Sequence, residues 1–235
     1  MNSDTQVAVL TGDLIGSTKA ASERVEYTMR VLSGGLPPGI RWEGWNAQGF
    51  RFTRFRGDGW QMLAPEPEYA LRWAVTLLAS LRSDPKALGS RISIGIGTAR
   101  SLGTDDLRDA SGPALEASGR GLDAMHRGEV LFLMGGETTP HRVTEERRET
   151  LVLGAEKAAV ILINERISRW TAEQAEATAY FLHPSEPSLT EIASRLGITP
   201  QAVSYRLKGS GAKPMLEALT LLELDWSDRW KGEDA

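Results

Sequence analysis

Two aspartates stand where their carboxylates can do chemistry. Asp13 follows a short apolar segment, Gln6–Thr11, and Asp58 lies in the Gly-Asp-Gly turn at 57–59. If the segments that carry them form neighbouring strands, both carboxylates reach one edge of a sheet. Paired hard oxygen ligands suit Mg²⁺ or Mn²⁺ bound to a nucleoside triphosphate. Singly, each aspartate has an ordinary explanation as a helix cap or a turn residue, but the pair favours a metal site.

The residues after Asp13 are of a kind that holds phosphate. Gly16, Ser17 and Thr18 open a predicted helix over roughly Lys19–Leu32. Backbone N–H groups at a helix start bind phosphate oxygens, and the helix dipole adds to the attraction. The sequence therefore predicts a phosphate loop beside the aspartate pair.

The elements that must position these residues follow from the hydrophobic pattern. The predicted strands are Gln6–Thr11, Phe50–Arg56, Trp60–Leu63, Arg91–Thr98 and Val130–Met134. The predicted helices between them are Lys19–Leu32, Pro67–Leu81 and Pro113–Arg127. The order β-α-ββ-α-β-α-β predicts an α+β sandwich of ferredoxin-like or palm type, with helices on one face of a largely antiparallel sheet.

The second half of the chain has a helical pattern. The charged stretch Thr138–Thr150 is expected to be a boundary or an irregular edge. Lys157–Ile167 is either one helix or a strand followed by a helix, because residues 160–163 are largely β-branched. Further helices are predicted from Thr171 and over Pro214–Leu224. We expect an α+β domain at 1–140, a connector at 141–168 and a small all-α domain at 169–235.

Residues 189–207 have the pattern of a helix-turn-helix that binds DNA. Ile192 and Leu196 are spaced to face inward, Gly197 permits the turn, and Thr199 is a good N-cap. The second helix then presents polar side chains that suit base edges and phosphates. The candidate DNA-contacting residues are Thr199, Gln201, Ser204, Tyr205, Arg206 and Lys208. A helical hairpin that packs against another protein is the alternative.

Composition narrows the classes of function. The 235 residues include no cysteine, so this sequence holds no disulfide, thiolate zinc site, iron–sulfur cluster or cysteine nucleophile. The net charge of −4 excludes a wholly basic nucleic-acid binder but not a local basic patch. The longest apolar run falls short of the roughly 18 residues that span a bilayer, and residues 1–5 are polar. We expect a cytoplasmic protein with no membrane partner.

Four short motifs, in this order, resemble the catalytic domain of class III nucleotide cyclases. Thr11–Thr18 is similar to that family's first metal strand and phosphate loop, and Phe55–Gly59 to its hairpin with the second metal aspartate. Arg91–Thr98 resembles the strand before the dimer arm, and Asp109–Arg120 the stretch with the base-recognising aspartate and the transition-state arginine. The chain resembles the smaller SatD family still more closely over about residues 6–135, and some SatD-like chains add a helix-turn-helix.

The resemblance implies a role for each matching residue. Asp13 and Asp58 would bind two divalent metal ions, Mg²⁺ or Mn²⁺. Arg54 stands where cyclases keep a base-selecting Lys, with Asp109 as its partner, and Arg120 would stabilise charge on the reacting phosphate. The phosphates would be held by the backbone of Leu14, Ile15, Gly16, Ser17 and Thr18. Because the family's site forms between two subunits, a homodimer is implied.

Two departures from the family pattern shape the functional hypothesis. Glu116 replaces the family's ribose-orienting Asn, and the late Lys that clamps the terminal phosphate has no counterpart. We therefore expect a transcriptional regulator-like protein, whose cyclase-like domain binds a nucleoside triphosphate and metal and controls DNA binding. The alternative is a class III-type nucleotidyl cyclase that makes a cyclic nucleotide from ATP or GTP. A third hypothesis is that both domains only mediate protein contacts.

Overall fold

The computed structural model describes residues 5–34, 51–55, 57–64, 66–135 and 145–231. The strands are β1 (Thr5–Leu14), β2 (Arg51–Arg54), β3 (Gly59–Ala64), β4 (Ser90–Ala99) and β5 (Leu131–Gly135). The helices among them are α1 (Ser22–Gly34), α2 (Ala70–Ser83) and α3 (Pro113–Ala124). The C-terminal helices are α4 (Glu145–Ser168), α5 (Ala172–Phe181), α6 (Leu189–Leu196), α7 (Pro200–Ser210) and α8 (Ala212–Lys231).

The strands form one sheet in the order β2-β3-β1-β4-β5. Every neighbouring pair is antiparallel except β4 and β5, which are parallel. The first four strands with α1 and α2 make the β-α-β-β-α-β arrangement of ferredoxin-like folds, and α3 leads to the additional strand β5. The predicted α+β palm-type fold is confirmed, and β1 lies in the middle of the sheet.

Helices cover both faces of the sheet, so the expectation of helices on one face is wrong. Ala8 and Leu10 are buried in the core that includes α2, whereas Val7 and Val9 belong to a second buried cluster with Ala114 of α3. The physical reason lies in β1 itself, because a strand that is apolar on both sides must be covered on both sides.

The approach of α3 to the sheet depends on small side chains. A Cβ atom at Gly95 of β4 would lie 2.1 Å from the carbonyl oxygen of Ala114 and 2.5 Å from the backbone nitrogen of Ser118. Only glycine fits at such a distance. This contact fixes α3 against β4 and therefore fixes Glu116 and Arg120, which α3 carries.

Some element boundaries differ from the predicted ones. A 3₁₀ turn at Ser17–Lys19 precedes α1, which begins at Ser22 because Ala20 is extended. Helix α3 ends at Ala124 rather than Arg127, because Met125 adopts an extended conformation. The predicted strand ends at Phe50 and Arg56 lie outside the described residues.

The C-terminal helices pack against residues 5–135, the part of the chain that contains the sheet and that we call the sheet half. One hydrophobic cluster contains Leu71 and Leu78 of α2 together with Ala175 of α5 and Leu219 of α8. The open alternative at Lys157–Ile167 is resolved as part of the single helix α4. Residues 145–150 of the expected irregular edge belong to the same helix, and residues 138–144 lie outside the described residues. In the described ranges, no helix is both long and apolar enough to cross a bilayer.

Candidate functional site

Asp13 and Asp58 are brought to one edge of the sheet. In the antiparallel register Asp13 lies opposite Gly59 of β3 on one side and Arg91 of β4 on the other. Asp58 directly precedes Gly59 in the hairpin turn, and its carbonyl oxygen accepts a hydrogen bond from the Leu14 N–H at 3.2 Å. We call this group of Asp13, Asp58 and Arg91 the acidic edge.

Arg91 forms two hydrogen bonds to the Asp13 carboxylate through its guanidinium. Nε donates to Asp13 Oδ1 at 2.9 Å, and a terminal nitrogen donates to Oδ2. The side chains remain 34% and 29% exposed, so solvent and ligands reach both. The hydrogen bond to Asp13 raises the pKa of Arg91, and the nearby charges of Asp13, Asp123 and Asp58 add to the increase despite partial burial.

Asp58 is held from the phosphate-loop side. The Ser17 hydroxyl donates to Asp58 Oδ2, which ties the hairpin turn to the residues after β1. Asp58 itself is half-buried. The second aspartate and the predicted phosphate loop therefore form one structural unit.

In the predicted phosphate loop, some backbone N–H groups donate hydrogen bonds to the described part of the protein and others do not. The Leu14 N–H bonds to Asp58, and the Ile15 N–H donates to the Gly89 carbonyl at 2.8 Å. In the described part of the chain, no protein acceptor takes the N–H groups of Gly16, Ser17 or Thr18. Gly16 has φ of 75°, a left-handed conformation that glycine adopts without steric cost.

A buried polar chain supports the acidic edge from the α3 side. The Gln61 side-chain amide donates to the Thr11 hydroxyl at 2.9 Å, and Thr11 and Ser118 hydroxyls are 2.7 Å apart. Ser118 donates in turn to the Leu115 carbonyl at 2.9 Å. Thr11 lies two residues before Asp13 on the same face of β1, so this chain fixes the aspartate's strand to α3.

Arg54 lies on the opposite face of the sheet from Asp13. Its β3 partner in the register is Trp60, which is buried in the α2-side core. The guanidinium binds Glu26 of α1 at 2.7 and 2.8 Å and the Gly57 carbonyl at 2.8 and 3.0 Å. Arg54 thus braces the turn that presents Asp58.

Arg120 stands on α3 in a cluster with Glu116 and Arg100. Arg120 lies 3.6 Å and Arg100 3.3 Å from the Glu116 carboxylate, and all three side chains are exposed. The Glu116 carboxylate is therefore paired with two cations. Among the hydrogen bonds and ion pairs of the described residues, Arg120 makes none to Asp13 or Asp58.

Asp109 ends a short 3₁₀ turn at Leu107–Asp109. It is exposed and accepts a hydrogen bond from the Thr104 hydroxyl at 2.9 Å. The Leu107 N–H donates to the Thr53 hydroxyl at 2.8 Å, which places this turn over β2. Asp109 and the acidic edge do not touch within the described part of the chain.

Helices α6 and α7 are joined by a turn at residues 197–199. Ser188 and Glu191 form a capping box at the start of α6, Gly197 is left-handed, and the Thr199 hydroxyl caps α7 by accepting the Ala202 N–H. Val203 is buried on the inner face of α7. The solvent-facing residues of α7 include Gln201, Ser204, Tyr205 and Lys208.

Tyr205 and Arg206 have different surroundings on α7. Tyr205 is 81% exposed. Arg206 turns toward α5, where it pairs with Glu176 at 3.0 Å. Of the predicted DNA-contacting residues, Thr199 and Arg206 therefore have structural partners, and the other four form an open polar face.

The oxygen donors at the acidic edge fit a metal ion that arrives with further ligands. Asp13 at the end of β1 and Asp58 in the turn before β3 offer hard carboxylate oxygens, as Mg²⁺ and Mn²⁺ prefer. Among the described residues, no group of three or more His, Cys, Asp or Glu side chains is arranged to hold a metal ion. A cation that keeps waters and phosphate oxygens fits this donor set, whereas a complete cage of protein ligands is absent from the described ranges.

Sequence reasoning missed Arg91 as a member of the acidic edge and Asp123 as a charge that acts on Arg91. The register between β1 and β4, which pairs residues 78 positions apart, was needed to place Arg91 opposite Asp13. The signal was present in part, because Arg91 opens a strand otherwise made of apolar and small residues. Asp123 carried no signal, since it is one of two acidic residues on α3 and no local pattern sets it apart.

No family model matches the chain. No curated protein matches it either. The solved structures to which it is similar include guanylyl cyclase domains. The guanylyl cyclase Cya2 is 20% identical, with a TM-score of 0.39, over 57% of this chain and 77% of that one.

Two further neighbours are rhodopsin-linked guanylyl cyclases. A dimeric guanylyl cyclase domain of the RhoGC fusion protein from the aquatic fungus Blastocladiella emersonii is 15% identical, with a TM-score of 0.42, over 57% of this chain and 81% of its own length. The catalytic core of a rhodopsin-guanylyl cyclase with converted specificity, in complex with ATPαS, is 17% identical, with a TM-score of 0.41. The match covers 56% of this chain and 78% of that one. Superpositions at these scores do not bear on activity, so function rests on the residues of this chain.

Proposed function

We propose that the sheet half of this chain is a nucleotidyl cyclase-like domain that binds ATP or GTP with Mg²⁺ or Mn²⁺. The observation that carries the proposal is the meeting of Asp13 and Asp58 at one sheet edge, beside the unused amides of Gly16–Thr18. Carboxylates and free amides in one place are complementary to a metal ion and the phosphates that it accompanies. The segments Thr11–Thr18 and Phe55–Gly59, which resemble class III cyclase motifs, contain these same residues.

The reaction is cyclisation of the nucleotide. The 3′-hydroxyl oxygen attacks the α-phosphorus and loses its proton to solvent water, the bond to the β-phosphate oxygen breaks, and pyrophosphate leaves. Asp13 and Asp58 would hold a divalent ion, which would supply charge neutralisation and lower the pKa of the hydroxyl. The Gly16–Thr18 amides would orient the phosphates, and Arg120 would stabilise charge on the reacting phosphate.

A second copy of the chain completes the site in this proposal. Arg120 and Asp109 are exposed, and among the described residues neither makes a hydrogen bond or ion pair to the acidic edge. Their exposure leaves both side chains accessible to a second copy of the chain. The homodimer supplies Arg120 and Asp109 of one copy to Asp13 and Asp58 of the other.

Turnover tests the enzymatic proposal directly. Purified protein is incubated with Mn²⁺ and each of the four ribonucleoside triphosphates, and products are resolved by chromatography. We expect a cyclic product from one purine nucleotide and none from Asp58→Ala. Asp228→Ala, which removes an exposed aspartate of α8, is the matched control. Absence of product from the unchanged protein would leave metal–nucleotide sensing without catalysis.

The open polar face of α7 favours a second function, DNA binding. Gln201, Ser204, Tyr205 and Lys208 project from a well-capped helix whose inner side is buried. Such a helix presents hydrogen-bonding side chains to a groove and a cation to the phosphates. The proposed arrangement is a regulator in which two α6–α7 units contact DNA in the dimer.

Fluorescence anisotropy with a mixed-sequence 30-base-pair duplex tests DNA binding. We expect Lys208→Glu to weaken binding and reduce the salt slope by about one unit for each copy of the chain on the duplex, as for loss of a phosphate contact. Lys157→Glu, on the exposed side of α4, makes the same charge change elsewhere and should leave binding unchanged. Equal effects of the two variants would contradict a DNA-binding role for α7.

Contacts between the two halves support communication between them. Arg82 of α2 donates to the carbonyls of Trp170 at 2.6 Å and Ser168 at 2.9 Å, and Arg72 of α2 pairs with Glu223 of α8. A change in dimer packing at the sheet would therefore be transmitted to the C-terminal helices. The proposal predicts that nucleotide with Mn²⁺ changes the affinity for DNA, and equal affinity with and without them would contradict it.

A further inference from the structure

The acidic edge contains its own cation. Arg91 occupies both oxygens of Asp13 through its two hydrogen bonds, and Asp58 and Asp123 act electrostatically on the same guanidinium. The carboxylates that would bind a metal ion are thus already partly neutralised. The guanidinium charge is permanent, since arginine does not lose its proton at ordinary pH.

A divalent cation at Asp13 must compete with Arg91. It needs carboxylate lone pairs that the guanidinium uses, and it is repelled by a fixed positive charge at close range. A metal ion that arrives on a triphosphate is in a different position. The nucleotide brings several negative charges and further oxygen ligands, which outweigh the single charge of Arg91.

We infer that Arg91 makes metal binding conditional on nucleotide. Its guanidinium holds Asp13 in place and excludes free Mg²⁺ or Mn²⁺, and the ion enters as its complex with a nucleoside triphosphate. This inference rests on the proposed metal–nucleotide site. It assigns to Arg91 the role of a positioning residue that acts through Asp13.

A purely structural Arg91 would behave differently. If the arginine only orients Asp13, its removal weakens binding of every metal species. If its charge excludes free metal, its removal strengthens binding of the metal alone. The direction of the change for metal alone therefore separates the two roles.

Electron paramagnetic resonance of unbound Mn²⁺ measures this direction. Mn²⁺ is titrated into the full-length protein alone and then with the α,β-methylene analogues of ATP and GTP. We expect Arg91→Gln to bind Mn²⁺ alone at least about tenfold more tightly than the unchanged protein. Arg91→Lys retains the charge and should remain as weak as the unchanged protein. Arg169→Gln, which breaks the exposed pair with Glu165 on α4, is the charge-matched control and should change nothing.

Each outcome decides a separate question. Equal or weaker binding of Mn²⁺ alone by Arg91→Gln overturns the inference. If that variant does not fold, the unchanged protein still tests the inference. Binding of Mn²⁺ to it with equal affinity in the presence and absence of nucleotide also overturns the inference. Failure of the unchanged protein to bind Mn²⁺ with any nucleotide analogue would instead contradict the proposed function, and tighter Mn²⁺ binding by Arg91→Gln would still support the exclusion by Arg91.

Discussion

Two arginine–carboxylate pairs in this molecule have the same chemistry and different surroundings. Arg72 Nε donates to Glu223 Oε1 at 2.6 Å, and Arg91 Nε donates to Asp13 Oδ1 at 2.9 Å, each with a second bond from a terminal nitrogen. The side chains of the first pair are only 6% and 10% exposed, whereas those of the second are 34% and 29% exposed. The first joins α2 to α8, and the second lies at the open edge of the sheet.

Exposure decides what each pair can do. When a buried charge separates from its partner, water cannot take the partner's place, so separation is costly. The Arg72–Glu223 pair therefore holds α2 and α8 together. A pair at the surface exchanges its partner for water or a ligand at little cost. Arg91 and Asp13 can therefore separate when a ligand arrives, and Arg72 and Glu223 cannot.

The largest expected effect comes from breaking the buried pair. Arg72→Met leaves the Glu223 carboxylate buried without its cation, and we expect a loss of about 3–5 kcal/mol in the free energy of unfolding. The double variant Arg72→Met with Glu223→Leu removes both charges and should regain most of that loss. Urea denaturation of both variants measures the difference. A double variant as unstable as the single one would contradict the assignment of the cost to an unpaired charge.

The buried pair should also give a distinctive dependence on pH. Burial raises the pKa of Glu223 above its ordinary value, although the hydrogen bond and charge of Arg72 oppose the increase. The folded state then binds this proton more readily than the unfolded state. The contribution of Glu223 to stability is therefore fully present below its unfolded pKa and is lost as pH rises through the folded pKa.

The comparison of the unchanged protein with Glu223→Gln isolates this contribution. We expect the stability of the unchanged protein, relative to the variant, to fall as pH rises from about 4 toward 7. Thermal unfolding at several pH values measures it. A relative stability that rises over this range would mean that Arg72 outweighs burial in setting the pKa of Glu223.

The sequence was enough to predict the convergence of Asp13 and Asp58 but not the whole acidic edge. Asp58 sits in a hairpin turn, and pairing of one hairpin strand with β1 brings it to Asp13. Arg91 belongs to a strand far along the chain, and its place opposite Asp13 depends on a register that no local pattern fixes. Local sequence patterns predicted the helices and strands, whereas pairing of strands that are distant in sequence determined which side chains lie beside Asp13.

The failed expectation and the alternative that was left open have physical causes of the same kind. The prediction that all helices lie on one face of the sheet did not account for Val7 and Val9. These side chains are covered by α3, whereas Ala8 and Leu10 are covered on the other face. The β-branched residues at 160–163 left strand and helix open, and tertiary packing of Val160 and Ile163 in the core favoured the helix.

The open pair should contribute little to stability. Arg91→Gln removes an ion pair that is about one third exposed, and we expect a loss of roughly 0.2–1 kcal/mol because solvent screens the charges. Urea denaturation in low salt and in 0.5 M NaCl, where screening is stronger, measures both the loss and its reduction. A loss as large as that of Arg72→Met would break the contrast between the two pairs and make Arg91 a structural residue.

A carboxylate without burial gives the smallest effect and the opposite dependence on pH. The backbone N–H and hydroxyl of Ser188 donate to Glu191 at 2.7 and 2.8 Å, and these bonds lower the pKa of Glu191. Its contribution to stability is present above the unfolded pKa and is lost as pH falls through the folded pKa.

Glu191→Gln tests this sign, because the amide keeps an acceptor oxygen but cannot titrate. The stability advantage of the unchanged protein over this variant should shrink between about pH 5 and pH 3, as followed by thermal unfolding. Ser188→Ala removes the donor and acceptor hydroxyl and should lower stability at every pH, since loss of a cap does not depend on a proton. An advantage that is constant from pH 7 to pH 3 would mean that hydrogen-bond geometry, rather than the charge of Glu191, stabilises the start of α6. Opposite slopes for Glu223 and Glu191 would show that burial, and not the type of residue, sets how each carboxylate in this fold responds to acid.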